Sequence, residues 1–433
     1  MKRLFCAVLF CPLFVAAQEH GIVFLQNASW QKVLQKAKVE NMYIFVDCYA
    51  SWCGPCKWMD KNVYTNDTVG RAMNGQFLSV QIQMDTTQHD NGEIKNLYST
   101  AHHFGEQYQI NVYPSFLFFS PDGRIVHEDV GAMYVKDFIK MTKAAMDPQE
   151  QYYTLLTHYQ RGDENYSVMP YLAKMARKLR QNQLETAIAQ AYTQQYLERL
   201  PSDQLWTKDN LKFIGSFSEI IHSDDKVFKQ YFQDRKRIDS IMDRPGYSDE
   251  LINSVIYKGE IVSTFDIAIK AKSEPNWYRI GRIIEKKYNK DYAERGVLKG
   301  RMDFYHVTKQ WGKYITYFIR WQEGNSMQAI QRDSGGLGTV IFLNNCAWEV
   351  FQYSKKEREL DTAISWVDLA ISMNSGHYYS SLMDTKANLL YKLGKKNEAL
   401  KLEEQSYRLA NNNKDIQGNL EKMKNGLPTW TLE

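Results

Sequence analysis

One stretch constrains this chain more than any other: Val46-Asp47-Cys48-Tyr49-Ala50-Ser51-Trp52-Cys53-Gly54-Pro55-Cys56-Lys57. An apolar run ends, two cysteines follow two residues apart, and a helix-forming run begins. This spacing lets Cys53 and Cys56 close a small disulfide ring and reopen it. A cysteine at a helix N-terminus sits among free backbone N–H groups at the positive end of the helix dipole, where an anion is stabilised. Cys53 is therefore the candidate attacking thiolate, with a lowered pKa. Cys56 lies one turn inside the helix as the shielded resolving thiol. Pro55 suits the first helical turn, where no N–H is needed. The same spacing also serves as half of a zinc site. Zinc needs two further ligands, and His102 and His103 are the only nearby candidates. No second C-x-x-C or H-x-x-x-H follows, so the chain fits ligand-spacing rules poorly.

Trp52-Cys53-Gly54-Pro55-Cys56-Lys57 resembles the thioredoxin active site. Asp47 stands where that family keeps a buried acid behind the cysteines. Tyr113-Pro114-Ser115 resembles its cis-proline segment, and Val130-Gly131-Ala132 its closing strand-to-helix turn. The run Met59 to Met84 resembles the thioredoxin-like reductase domains of periplasmic disulfide-interchange proteins. The resemblance covers residues 20–147, a domain-sized piece.

The resemblance implies an α/β thioredoxin-like fold and thiol–disulfide exchange. Cys53 attacks a disulfide, and Cys56 then attacks Cys53 and releases the reduced client. No cofactor is expected beyond the redox-active Cys53–Cys56 disulfide itself. Trp52 would shield the pair and offer a client an apolar surface. Pro114, in cis, would free neighbouring backbone groups to pair with a client strand. Asp47, its pKa raised by burial, would take the proton from Cys56. The plainer reading of Asp47 is a hydrogen-bonded structural carboxylate, since structural networks also shift pKa values. Two departures stand out. The lysine that usually faces the acid falls near Gln81, and Tyr113 puts a bulky ring beside the proline, which restricts the clients that fit. The Gly54-Pro55 pair resembles reducing thioredoxins, so a reductase is expected.

The chain opens with Met1-Lys2-Arg3, an apolar core from Leu4 to Val15, and Ala16-Ala17-Gln18. This reads as a secretory signal peptide, residues 1–17, cleaved after Ala17. The core is short for a bilayer span. Phe5 and Phe10 precede Cys6 and Cys11, which disfavours a lipidated cysteine. An exported protein is expected, periplasmic or extracellular. The mature chain keeps Cys48, Cys53, Cys56 and Cys346, too few for a disulfide scaffold. Cys48 falls in a strand and Cys346 in a helix, where each reads as a small buried hydrophobe. The formal charge of +4 falls to +2 once Lys2 and Arg3 leave, so no nucleic-acid partner is expected.

At 433 residues the chain needs two or three domains. Residues 18–147 read as the thioredoxin-like domain. Ile22 to Leu25 is an expected edge strand. Met42 to Cys48 is an apolar run expected as a strand covered on both sides. Phe77 to Met84 is another strand, and Glu93 to Phe104 an amphipathic helix. Phe116 to Phe119 and Ile125 to Val130 flank the turn Pro121-Asp122-Gly123 as a hairpin. The segment Asp85 to Asn111 is longer than its thioredoxin counterpart and would enlarge the rim near the active site.

Asp147-Pro148 marks the boundary, after which strand signals nearly vanish. Residues 148–338 read as a helical-repeat region, with helices at Gln151 to Gln160, Met169 to Gln181, Leu184 to Leu200, Asp249 to Lys272, Asn276 to Lys287 and Val307 to Trp321. Residues 339–433 resemble tetratricopeptide repeats, since the spacing from Ala363 to Ala399 is close to that period. The first such unit carries a longer turn around Tyr353 to Glu359. Ser334 to Thr339 is glycine-rich, but no strand leads into it and no lysine follows in the phosphate-binding position. The class is thus an α/β thioredoxin-like domain followed by an all-α helical-repeat region.

The combined reading is an exported thiol–disulfide oxidoreductase, a reductase of protein disulfide clients. It would need a membrane or soluble electron donor, and its helical repeats would bind clients or that partner. The competing reading is an envelope scaffold or client-holding repeat protein with a redox-sensing thioredoxin-like domain.

Overall fold

The computed structural model describes residues 21–430 except 27, 164, 334, 335, 374, 375, 377 and 412, and the side chains of 325–333 are also left aside. The signal peptide, with Cys6 and Cys11, lies outside the described residues, as do Ser334 and Gly335 of the glycine-rich stretch. The chain divides into two compact units, one ending at Phe213 and the other beginning at Ile214.

In the first unit a four-stranded sheet holds the cysteine motif. Its strands are β1 (Tyr43–Tyr49), β2 (Phe77–Gln83), β3 (Ser115–Phe119) and β4 (Ile125–Val130), in the order β2-β1-β3-β4. β1 and β2 run parallel with Asp47 opposite Gln81, and β3 is antiparallel to both β1 and β4. The central strand β1 buries Ile44 through Cys48 without a break. That is the pattern of a strand covered on both faces.

Alternate residues feed two cores. Ile44, Val46 and Cys48 join Leu117 and Phe119 under α1 (Trp30–Glu40), through Val33 and Ala37, and under α5 (Tyr98–Gln107), through Ala101 and Phe104. Phe45, Phe116 and Phe118 lie on the other face. There they meet Met59 of α2 (Gly54–Met59), Val69 and Met73 of α3 (Asp67–Met73), and Phe138 and Met141 of α6 (Val135–Met146).

Within the sheet-bearing part, two elements differ from their sequence expectation. The run Ile22 to Leu25 makes a single parallel bridge, Phe24 to Ser79, instead of an edge strand. The Leu25 N–H still donates to the Ser79 carbonyl at 2.9 Å. The helix expected over Glu93 to Phe104 is two, α4 (Gly92–Asn96) and α5, because Asn91 caps the first and the chain resets at Leu97.

The first unit continues past Asp147. Helices α7 (Tyr152–Gln160) and α8 (Met169–Lys178) attach to β4 through polar contacts. The Tyr152 N–H donates to His127 Nδ1 at 3.1 Å, and the Tyr153 hydroxyl donates to Glu128 at 2.5 Å. Lys178 pairs with Asp129. His127 and Glu128 are both buried. Burial pushes Glu128 up to about 7 and His127 down to about 4. A buried polar group that loses its partner costs about 1–3 kcal/mol. We therefore expect a 18–147 fragment to melt about 10 °C or more below a 18–213 fragment, at the few degrees per kcal/mol typical of small domains. Equal melting by circular dichroism would show that these helices do not complete the domain.

The second unit is helical. Tyr379–Lys392 pairs with Lys396–Leu409, where Ala387 and Ala399 are fully buried. Leu337–Tyr353 pairs with Glu357–Met373, which buries Ala363 and Ala370. The turn expected to be long around Tyr353 to Glu359 spans only 354–356. The helix expected from Val307 starts at Trp311, because Val307 closes a preceding helix, Lys290–Val307, and Lys309 takes a positive φ of 55°. Among the described residues no helix is long and apolar enough to cross a membrane.

Candidate active site

The site forms where β1 ends and α2 begins. Cys53 is the N-cap of α2, and its Sγ accepts from the Cys56 N–H at 3.1 Å. Pro55 occupies the first turn. Cys53 and Cys56 form a disulfide, and each is only 2–3% exposed. Ala50 packs against the pair, with Tyr49 and Tyr113 alongside. Trp52, by contrast, is 70% exposed and meets Tyr113 edge-on at 5.8 Å. The chemistry is thus sunk in an apolar collar with an indole projecting from its rim.

Two further segments close on the motif. The Tyr113–Pro114 peptide bond is cis. The Pro114 carbonyl accepts from the Gly131 N–H at 2.8 Å, which ties this segment to the turn after β4. Gly131 has φ +88°, the left-handed region that glycine enters without a steric cost. Among the described residues, the Tyr113 N–H and carbonyl take no backbone hydrogen bond. The Asp85 carboxylate brackets Ser51, accepting from its N–H at 2.8 Å and its hydroxyl at 2.5 Å. This fixes the loop that leads into Trp52. Beyond it, Asp90 collects Gln83, Thr87 and Tyr98 and pins the long 85–97 segment.

Two linked carboxylates stand on β1 and just after α2. Asp47 on β1 is 1% exposed. Gln81 Nε2 donates to Asp47 Oδ2 at 3.2 Å and to Asp60 Oδ1 at 3.0 Å, joining the two acids. Asp47 Oδ1 has no hydrogen-bond partner among the described residues. The Tyr64 hydroxyl faces Asp47 without closing a full hydrogen bond. Burial pushes the Asp47 carboxyl up to about 7. The Asp60 charge adds to the rise, and the Gln81 bond opposes it. Asp60 is itself raised, mainly by burial. It opens the π-helical turn Asp60–Tyr64 that continues α2, and its N–H donates to the Cys56 carbonyl. Residues four apart on a helix share a face. Cys56 therefore lies on the side of α2 that carries Asp60 towards Gln81 and Asp47.

Of the residues singled out in the sequence, Cys53, Cys56, Trp52 and Pro114 converge on this one site. Asp47 lies on β1, linked through Gln81 to Asp60 after α2. Gln81 does occupy the place opposite Asp47, but its bond to a second acid was not anticipated. Asp60 was missed, and its position four residues after Cys56 was the available signal. The two remaining cysteines stand apart. Cys48 and Cys346 are buried free thiols, and burial pushes both up, Cys346 to about 12. Neither is a ready nucleophile. His102 pairs with Glu106 on an exposed side of α5. Among the described residues no three His, Cys, Asp or Glu side chains gather to hold a metal.

Comparison with known proteins matches this region. Residues 30–146 fit the family model of a thioredoxin-like domain. The thiol:disulfide interchange protein DsbD 2 of Pseudomonas aeruginosa is 30% identical over 108 residues, 25% of this chain and 16% of that protein. Thioredoxin H1 of Arabidopsis thaliana is 31% identical over 131 residues, 30% of this chain and 96% of that protein. A solution structure from Bacteroides thetaiotaomicron, described as a candidate disulphide isomerase, is 29% identical; the match covers 30% of this chain and 98% of that one, at a TM-score of 0.25. The chain thus spans only a small part of DsbD 2 and nearly all of Thioredoxin H1.

Proposed function

Because this chain belongs to the thioredoxin-like family of thiol–disulfide oxidoreductases through residues 30–146, we propose that it is an exported reductase of protein disulfides. The observation that carries the reading is the placement of Cys53 as the N-cap of α2, joined to Cys56 and flanked by the cis Tyr113–Pro114 segment. In the reduced protein the Cys53 thiolate attacks one sulfur of a client disulfide. The client's other sulfur leaves as a thiolate and takes a proton. Cys56, deprotonated with help from Asp47, then attacks Cys53 Sγ. The client departs with both thiols reduced, and the protein is left with its own disulfide. A thiol electron donor must return two electrons before the next cycle.

The collar suits a protein client better than a small disulfide. The unused Tyr113 N–H and carbonyl offer one strand-like pairing beside the sulfurs. The exposed Trp52 offers apolar area next to them. The Leu4 to Val15 apolar core after Lys2 and Arg3 supports export, to the periplasm or beyond the cell. The helical region recruits clients or the electron donor.

The deciding measurement is the reduction potential of the Cys53–Cys56 pair, read by alkylating free thiols in graded dithiothreitol and glutathione buffers. A value near the thioredoxin end of the roughly −270 to −120 mV range is the expected result. A value at the upper end would make the protein an oxidase or isomerase. A pair that never opens would remove the enzyme reading and leave the helical scaffold.

A further inference from the structure

Five tryptophan or tyrosine side chains stand exposed among the described residues, and three of them, Trp52, Trp58 and Tyr134, belong to the cysteine motif, to the rest of α2 or to the stretch after the Gly131 turn. Exposed rings hold apolar area in water that a partner's side chain would remove. Trp52 directly precedes Cys53 and meets Tyr113. Trp58 and Tyr134 form a separate pair, edge to face at 5.5 Å.

Both rings stand on fixed backbone. Trp58 lies in α2, and its carbonyl accepts from the Asn62 side chain at 2.8 Å. Tyr134 is the N-cap of α6, and its carbonyl accepts from the Asp137 and Phe138 N–H groups at 3.0 Å. The Met133 N–H donates to Met59 Sδ at 3.3 Å, which ties the two segments together. A run of contacts thus leads from the cis segment, through the bond between Pro114 and Gly131, to Trp58. The exposed face of α2 leads there as well. Cys56 and Met59 are buried, whereas Gly54, Pro55 and Trp58 are exposed. Residues three and four apart share a helix face, so Gly54 and Pro55 lie on the side of Trp58. A Cβ at Gly54 would meet no atom within 4 Å. From Cys53 to Trp58 the helix rises about 7.5 Å. An extended chain, at about 3.3 Å per residue, covers that in two or three residues.

We propose that Trp58 and Tyr134 form a specificity subsite, which takes an apolar or aromatic client side chain two or three residues from the client cysteine under attack. The inference rests on the reading of this site as a reductase of protein disulfides, and it names the clients that the site prefers. Rigid aromatic rings add contact area at a low ordering cost, and a further ring or aliphatic side chain packs well against them. A disulfide without such a neighbour reaches Cys53 and leaves the pair in water. If the pair only stapled α2 to α6, the rate would be indifferent to the client's sequence.

The test takes residues 18–433, prereduced and desalted, in single turnover against disulfide-linked peptide dimers. One dimer has phenylalanine after the cysteine, acetyl-Ser-Cys-Gly-Gly-Phe-Ser-amide. Another has it before, acetyl-Ser-Phe-Gly-Gly-Cys-Ser-amide. The controls put serine in place of phenylalanine. Cys53 attacks one peptide sulfur and the other peptide leaves as a thiol. Cys56 then displaces the first, so two peptide thiols appear for each protein disulfide formed. Acid quenching and chromatography count them. Wild type is expected to reduce one phenylalanine dimer about tenfold faster than its serine control. Trp58→Ala should lose that preference while its serine rate stays within about twofold, Trp58→Phe should keep most of it, and Tyr134→Ser should lower it about threefold. Trp58 is 37% and Tyr134 73% exposed, so the substitutions spare the core, and thermal melts confirm folding. Serine dimers reduced as fast as phenylalanine dimers overturn the subsite alone. So does a preference that survives Trp58→Ala, or a rate that falls alike on every dimer. A loss of self-association in Trp58→Ala, read by sedimentation, would make the pair a contact between copies and overturn it too. No thiol from any dimer with wild type would remove the reductase reading, and the subsite with it.

Discussion

With Cys56→Ser, covalent client adducts accumulate towards one per chain while catalysed insulin reduction falls to the background rate; with Cys53→Ser, neither adducts nor turnover appear. The asymmetry follows from where the two sulfurs sit. Cys53 caps α2, so free N–H groups and the helix dipole hold its thiolate, and the Cys56 N–H already points at its Sγ. Cys56 is one turn inside the helix, away from the N-cap position that holds the Cys53 thiolate. Removing Cys56 leaves the first attack intact and deletes the step that resolves it. Removing Cys53 deletes the first attack. No other thiol substitutes. Cys48 is wholly buried, with its pKa pushed well up, and Cys346 lies in the other compact unit with its thiol raised to about 12. The check is non-reducing electrophoresis of each variant with a disulfide client, beside an insulin turbidity assay. Adducts formed by Cys53→Ser would reverse the assignment of attacking and resolving thiols.

The motif was legible because its chemistry needs neighbours in sequence: a strand end, two cysteines and a helix start. The hairpin was legible for a similar reason. Two short strand-forming runs, β3 buried throughout and β4 nearly so, flank a Pro-Asp-Gly turn, so local signals agree. Register carries the rest: Gln81 was placed opposite Asp47 through the resemblance alone, and its second bond, to Asp60, was missed. Gln81 meets Asp47 only because β1 and β2 pair in parallel with those two residues opposite. Asp60 meets Gln81 only because the π turn after α2 brings it over the sheet. The helix Lys290–Val307 was passed over because charged residues interrupt its apolar spacing, and tertiary packing decides such cases. The link from β4 to α7 was hidden as well. Its partners are His127, Glu128 and Asp129, polar residues that read as a solvated strand edge until Tyr152, Tyr153 and Lys178 cover them.

Asp47→Asn is expected to stabilise the protein by about 2–4 kcal/mol at pH 8 and to slow resolution of the mixed disulfide about 10²-fold. The sign on stability is set by the raised carboxyl. An ordinary aspartate titrates near 3.8, and burial brings Asp47 to about 7 in the fold. Between those values the folded state holds a proton that the unfolded state has lost, so stability falls as pH rises from about 4 to about 7. Above that window the full cost of a buried charge is present, and asparagine removes it while still accepting from Gln81. The sign on rate is opposite because the same burial makes Asp47 useful. A carboxyl near 7 accepts a thiol proton at neutral pH far better than one near 4. Resolution should therefore speed up through pH 7 in the wild type and lose that inflection in Asp47→Asn. Gln81→Lys supplies the control. A cation beside Asp47 favours its ionised form and should move the inflection to lower pH by one unit or more, as opposite charges typically do. Stopped-flow measurement of client release from pH 5 to 9, beside thermal melts over the same range, reads both effects. An inflection that stays put in all three proteins would leave Asp47 a structural carboxylate, because packing alone can change stability but cannot place a titration on the resolving step.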